Sequence, residues 1–308
     1  MTNLKKIGLT ALAASLVTTS AFAGALSVSG AASMTVKNTT GTKDLGTGKS
    51  FTMGNQITFS GGGELDNGLN VSLSMVIDQA DDTLPFDAQS VTVSSDALGT
   101  FKFSGEGGSS AQGAMDAGAA GDLWNNGTGV SEITGAAAGD NSMYYTLPEM
   151  IDGVAVTASM SPGRAAQATH TSVGLVYTGV EGLTLKFGTG DSGAPAAEIE
   201  STTMMASYAV GSFTLSASNT EADKNGANNR EVDAYQIAYT VTDDMSVTYG
   251  TESFETVGSA TDEEIDSFGV SYTTGGMTVS ANTFETKGAG NTAGAKTERW
   301  ALGLSFAF

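Results

Sequence analysis

The chain has 308 residues, with 33 acids against 13 bases and a formal charge of −20. That balance excludes a nucleic-acid partner, which needs clustered Lys and Arg to neutralise phosphate. With no cysteine and one histidine, His170, there is no disulfide framework and no thiolate or histidine metal site, and a Ser-His-Asp enzyme would rest on a histidine with no motif around it.

Residues 1–23 have the layout of a signal peptide: Lys5 and Lys6, an apolar run over 7–17, then the small-x-small pattern Ala21-Phe22-Ala23. The remaining domain, 24–308, then starts at Gly24, and loss of the two lysines takes the charge from −20 to −22. No later stretch reaches 18 apolar residues, so no membrane helix is expected.

From Gly24 onward the period is two. Leu26, Val28, Gly30, Ala32, Met34 and Val36 alternate with small or polar residues. Phe51, Met53, Ile57 and Phe59 do the same, as do Leu69, Val71, Leu73, Met75 and Ile77. Such alternation predicts strands with one apolar and one polar face. Further strands are expected near 89–95, 100–104, 142–147, 153–160, 171–178, 183–188, 201–210, 212–219, 232–242, 245–253, 265–273, 277–284 and 298–308, sixteen in all. No helix is expected after the signal.

Short connections at 61–68, 96–99, 148–153, 179–182, 211–212, 243–244 and 274–276 alternate strictly with long polar ones. The long ones are 38–49, 79–88, 105–141, 161–170, 189–200, 220–231, 254–264 and 285–297. An antiparallel meander with short turns at one rim and long loops at the other gives this order, and it requires an even number of strands. The fold class expected is therefore all-β, a 16-stranded antiparallel transmembrane β-barrel.

A soluble sandwich shows the same alternation. Three features weigh against it. Charges such as Lys102, Lys186, Glu252 and Arg299 fall on polar rows, and apolar rows keep theirs, such as Asp233, to strand ends. Tyr177, Tyr208, Tyr235, Tyr239, Tyr249, Tyr272 and Trp300 cluster towards the ends of apolar rows, where rings would meet lipid headgroups. The alternation also runs on through Trp300, Leu302, Leu304, Phe306 and Phe308. Closure would pair the first strand with the last, since hydrocarbon offers backbone groups no partner.

A signal, sixteen alternating strands, short turns opposite long loops, and a final strand WALGLSFAF together resemble the Gram-negative outer-membrane general porins, most closely those of alphaproteobacteria. The resemblance covers all of 24–308. It implies a homotrimer of barrels in outer-membrane lipid, each a diffusion pore for small hydrophilic solutes. It also implies that Trp300, Phe306 and Phe308 of the closing strand are read by the outer-membrane assembly machinery. A third loop folded inward is implied too, and the 37 residues 105–141 follow the fifth strand. This loop has ten glycines, no Lys or Arg, and the acids Glu106, Asp116, Asp122, Glu132 and Asp140, expected to face the stream at a constriction. Leu123 and Trp124 suit a packed loop better than an exposed one. Opposite them the polar rows offer Lys37, Lys102, Lys186 and Arg299, with Arg164 and Arg230 near strand ends. The acid excess predicts modest cation preference.

The acidic runs Asp262-Glu263-Glu264 and Asp78 to Asp82 read first as solvated loop charge; loosely held Ca²⁺ is the alternative, and no other cofactor is expected. His170 reads as an exposed loop residue. Small outward Gly30 and Ala32 would allow close approach of a neighbouring molecule. The functional alternatives are a substrate-specific outer-membrane channel and an exported structural or adhesive β-sandwich.

Overall fold

The computed structural model describes residues 26–41, 48–78, 86–116, 123, 139–163, 169–191, 199–224 and 229–308; the signal-peptide segment lies outside them. The alternating segments form sixteen strands: β1 (Ser27–Gly41), β2 (Gly48–Glu64), β3 (Asn70–Asp78), β4 (Phe86–Ser95), β5 (Gly99–Glu106), β6 (Ser142–Thr146), β7 (Val154–Ser161) and β8 (His170–Tyr177), then β9 (Leu183–Asp191), β10 (Ile199–Val210), β11 (Phe213–Lys224), β12 (Arg230–Thr242), β13 (Met245–Thr256), β14 (Glu263–Thr274), β15 (Met277–Lys287) and β16 (Lys296–Ala307). Each pairs antiparallel with its chain neighbours, and β1 pairs with β16 to close the sheet. Closure leaves no bare edge and sets aside the sandwich, which needs two packed sheets.

Register puts the large apolar residues in continuous rows on one face, with Val36 opposite Leu302, Leu73 opposite Val91, Leu175 opposite Phe187 and Tyr208 opposite Leu215. A slip of one residue at any seam would turn a whole row over. Crowding tells which face is concave. Among the described residues, the buried strand positions, Thr203, Ser201, Thr297 and Thr220 among them, stand on the polar row. The exposed large strand hydrophobics, such as Phe51, Met204 and Leu302, stand on the other. Side chains converge inside a cylinder and splay outside it, so the polar row lines the interior and the apolar row faces out.

Aromatic rings fringe the apolar belt. Tyr145, Tyr177, Tyr208, Tyr239 and Tyr272 lie towards the short turns, Tyr235 and Trp300 lie nearer the long loops, and Tyr249 sits mid-belt. Their hydroxyls find polar partners beyond the belt: Tyr145 Oη donates to the Leu98 carbonyl at 2.6 Å, and Tyr249 Oη to Asp266 Oδ1 at 2.9 Å.

Several strands outrun the alternation that marks them, because the backbone ladder continues where side chains are no longer apolar. Thus β2 includes 61–63, expected in a turn, and Gly62 lies so close to β3 that a Cβ there would sit 2.6 Å from the Val71 carbonyl. A helix, α1 (Ala111–Asp116), also appears where none is expected. At the seam, the Gly30 amide donates to the Phe308 carbonyl at 2.7 Å and the Phe308 amide returns a bond to Gly30 O at 3.0 Å. The Phe308 ring occupies the space a Cβ on Gly30 would need. Room at Gly30 is therefore filled by the chain's own ring, which corrects its reading as a gap for a neighbour.

Candidate functional site

The concave row is mostly Ser, Thr, Gly and Ala, short side chains that leave the interior of a sixteen-stranded cylinder open. Its bases are spread round the wall. Lys37 on β1 and Arg299 on β16 are diagonal neighbours, opposite Ala301 and Thr39 respectively. Lys102 on β5 stands between Thr92 and Tyr144; Lys186 on β9 stands between Val176 and Met205. The Arg299 guanidinium lies 5.7 Å from the Phe284 ring centre, a cation–π contact that holds it against the wall. Arg230 opens β12 on the same row, and Arg164 lies outside the described residues.

After β5 the chain turns back onto this row. Ser110 caps α1, its Oγ accepting the Gly113 amide at 2.9 Å and its carbonyl the Ala114 amide at 3.0 Å. The helix is tied to three strands: the Ala111 amide donates to Ser159 Oγ (2.9 Å, β7), the Gln112 amide to Ser172 Oγ (3.2 Å, β8) and Gln112 Nε2 to Thr203 Oγ1 (2.8 Å, β10). Gly174 and Gly188, opposite each other on β8 and β9, make its floor. A Cβ on Gly188 would come within 2.9 Å of Met115 Cγ and 3.0 Å of Gln112 Cα.

Asp116 ends the helix and departs from the expectation that the loop's acids face water. It is buried against the wall, and its Oδ1 accepts the Thr220 hydroxyl at 2.5 Å and the Thr203 hydroxyl at 3.4 Å. Hydroxyl donors on adjacent strands satisfy a carboxylate that burial alone would penalise. Asp140 is exposed and Glu106 half-buried at the end of β5; Asp122, Glu132 and Trp124 lie outside the described residues.

Leu123 lies further round the same wall. Its amide donates to Glu252 Oε2 on β13 at 3.0 Å, and its side chain is buried with Val232, Phe254 and Ile265, with Phe284 packed alongside. This apolar cluster on a mostly polar row is absent from the sequence reading; Phe254, just beyond the expected strand end, was the available signal.

Two smaller readings change. His170 opens β8, half-buried opposite Ser161, and is not a loop residue. Glu263 is fully buried and accepts the Gly290 amide, so in Asp262-Glu263-Glu264 it is not solvated loop charge. Among the described residues, no three His, Asp or Glu are grouped to hold a metal.

Much of the acid excess stands on the outer face. Asp191, Glu200 and Asp223 are cross-strand neighbours there, as are Glu221, Glu231 and Glu255, all at the long-loop rim above the apolar belt. Further round, Lys287 pairs with Asp266 at 3.7 Å, and Lys296 with Glu298 at 2.8 Å and Glu285 at 3.3 Å. On the closing strand, Trp300, Leu302 and Phe306 point outward, and Phe308 lies on the seam.

The sequence pattern of the Gram-negative porin family matches residues 8–263. No curated protein matches in sequence. Similar solved structures include an anion-selective porin from Comamonas acidovorans, with a TM-score of 0.74 at 14% identity over 92% of this chain and 99% of that one. A trimer form of the Vibrio cholerae outer-membrane protein OmpT gives 0.66 at 14% identity over 93% and 100%. A multiple mutant of the Rh. blastica porin gives 0.67 at 14% over 92% and 100%. At such identities the structural likeness speaks for the fold alone.

Proposed function

The chain belongs to the Gram-negative porins, passive channels of the outer membrane, and from that premise we propose that it admits small hydrophilic solutes and ions with a modest preference for cations. The observation that carries the reading is a closed sixteen-stranded barrel whose concave row is polar and whose convex row is apolar. Water and solute pass inside; lipid surrounds the outside.

The narrowing element is the segment 105–141. In support, α1 on β7–β10 and Leu123 on β12–β14 both contact the concave row, so these described parts of the segment stand inside the barrel. In support of cation preference stand the acids of this loop together with concave-row acids such as Asp78, Glu252 and Glu263, set against Lys37, Lys102, Lys186 and Arg299; much of the chain's remaining acid excess points outward. With a Debye length of about 8–10 Å, a preference of that origin is modest and shrinks with salt. An aromatic slide for one substrate finds little support, since of the concave aromatics among the described residues Phe254 is fully buried, Phe284 lies under Arg299 and Tyr144 stands apart on β6. Assembly as a homotrimer and, separately, reading of the closing strand by the assembly machinery complete the proposal; the trimer form of the similar Vibrio protein supports the first.

Planar-bilayer recording tests the reading. Discrete conductance steps in groups of three, with a reversal potential in a KCl gradient on the cation side, are expected. A closed barrel without conductance would end the channel reading, and an anion-side potential would end the selectivity.

A further inference from the structure

Three successive short turns carry exposed aliphatic side chains that conduction does not use. Leu98 stands in the turn between β4 and β5, Met150 and Ile151 between β6 and β7, and Val180 between β8 and β9. Met150 is 76% exposed and Ile151 66%. The turn before them adds the exposed Leu65 between Glu64 and Asp66. The last three short turns, at 211–212, 243–244 and 274–276, hold only Gly, Ser, Asp and Thr. The aliphatics thus gather on one arc of the short-turn rim, the side that faces the periplasm in an outer-membrane barrel. Exposed apolar side chains grouped among polar ones mark a surface that another molecule covers.

The arc is one built surface and not a set of loose tips. The Tyr145 hydroxyl donates to the Leu98 carbonyl at 2.6 Å, and a Cβ on Gly99 would lie 2.9 Å from the Pro148 nitrogen in the next turn. The Thr178 amide donates to the Gly153 carbonyl at 2.7 Å, and a Cβ on Gly153 would meet the Gly179 nitrogen at 2.5 Å. With strands about 4.8 Å apart, the three tips span roughly 20 Å. Among them stand Asp96, Glu149, Asp152 and Glu181, all exposed. Glu149 Oε1 accepts the Gly153 amide of its own turn at 3.0 Å. No Lys or Arg occurs in any of the seven short turns. That charge decides the occupant. Carboxylates between aliphatics repel an anionic lipid surface or an anionic polymer, and they suit a chain that carries Lys or Arg together with apolar side chains.

We propose that this arc docks an extended basic segment of a periplasmic protein. About six residues at roughly 3.3 Å each reach from one end of it to the other. Apolar side chains of the segment lie on Leu98, Met150, Ile151 and Val180, and its ammonium or guanidinium groups lie beside the four carboxylates. The docking goes beyond conduction: it depends on the turns, and neither the inward segment nor ion selectivity enters it.

The test places the full chain in phosphatidylcholine nanodiscs, which carry no net charge, and follows labelled seven-residue peptides by fluorescence anisotropy, with empty nanodiscs as the baseline. The probe alternates Lys and Leu; the controls alternate Lys with Ser and Glu with Leu. The Lys–Leu peptide is expected to bind at least about ten-fold tighter than either control, as exposed ion pairs and apolar contact together imply. Met150→Ser with Ile151→Ser weakens it about five-fold, by the loss of apolar contact. Asp96→Asn, Glu149→Gln, Asp152→Asn and Glu181→Gln together weaken it about ten-fold. Neutralising the opposite rim with Glu200→Gln, Glu221→Gln and Asp223→Asn changes nothing. Heat-modifiable migration shows that each barrel is closed, and if the apolar variant fails to close, the charge variant, which changes no volume, carries the test. The proposal is overturned by no binding of the Lys–Leu peptide above the baseline, by a control bound as tightly, by unchanged binding in either turn variant, or by its loss in the opposite-rim variant. A polarity-sensitive dye on Met150→Cys that reports a lipid-like setting before peptide is added overturns it too, since the tips would then be membrane anchors.

Discussion

Gly188→Leu asks whether the wall holds the loop. A Cβ at this position would lie 2.9 Å from Met115 Cγ and 3.0 Å from Met115 Cβ and Gln112 Cα. Met115 has rotamers to spare, but the Gln112 Cα belongs to the helix backbone and moves only if α1 moves. Overpacking of this kind costs about 1–3 kcal/mol, which lowers the ratio of seated to released helix by roughly five- to 150-fold. The matched control is Gly54→Leu on β2, also on the concave row, whose Cβ meets only Ser33 Oγ at 2.8 Å, a hydroxyl free to rotate away. Both substitutions add the same bulk to the lumen. In single-channel recordings, Gly54→Leu should give quiet steps at or slightly below the parent conductance. Gly188→Leu should give larger, flickering steps as α1 leaves its seat. Heat-modifiable gel migration confirms that each barrel is closed. Quiet, reduced steps in Gly188→Leu, indistinguishable from the control, would refute the idea that this glycine pair positions the loop.

Two other anchors can be tried. Thr220→Val removes the 2.5 Å donor to Asp116 and leaves a buried carboxylate poorly satisfied, at about 1–3 kcal/mol; hydrogen exchange at the Gly113 and Ala114 amides should quicken at least about five-fold, and unchanged exchange would show the bond is dispensable. Leu123→Ser uncovers Phe254 and Ile265 at a cost of about 2–4 kcal/mol; current noise should rise with no change in reversal potential, and a silent trace would mean the apolar contact does not hold the loop.

The barrel was legible because its signals are long and redundant: period-two rows in sixteen segments, and connections whose lengths alternate without exception. The parity that put Lys37, Lys102, Lys186 and Arg299 on one row needed no coordinates, since a strand has only two faces. α1 was hidden because six residues make under two turns, too few to show a helical period, and because the wall, through Ser159, Ser172 and Thr203, supplies much of what holds it. Acid placement was hidden differently. Glu200, Glu221, Asp223 and Glu231 read as loop charge, since nothing apolar alternates with them, yet the ladders run on and put them on the outer face. Total charge therefore says less about the lumen than the sequence implies. The role of Asp116 was also out of reach, because its two donors are 87 and 104 residues away along the chain.

Fifteen of the sixteen seams join strands that follow one another, and one, Ala31 to Gly41 against Thr297 to Ala307, joins the first to the last. Until β16 exists, the rest is an incomplete ribbon with two unpaired borders, each offering amides and carbonyls to whatever arrives. Sealing is thus a late, all-or-nothing event during biogenesis, and a nascent polypeptide needs shelter for its borders until then. A barrel interrupted before this moment has a ready but wrong remedy: to borrow the missing strand from a sibling.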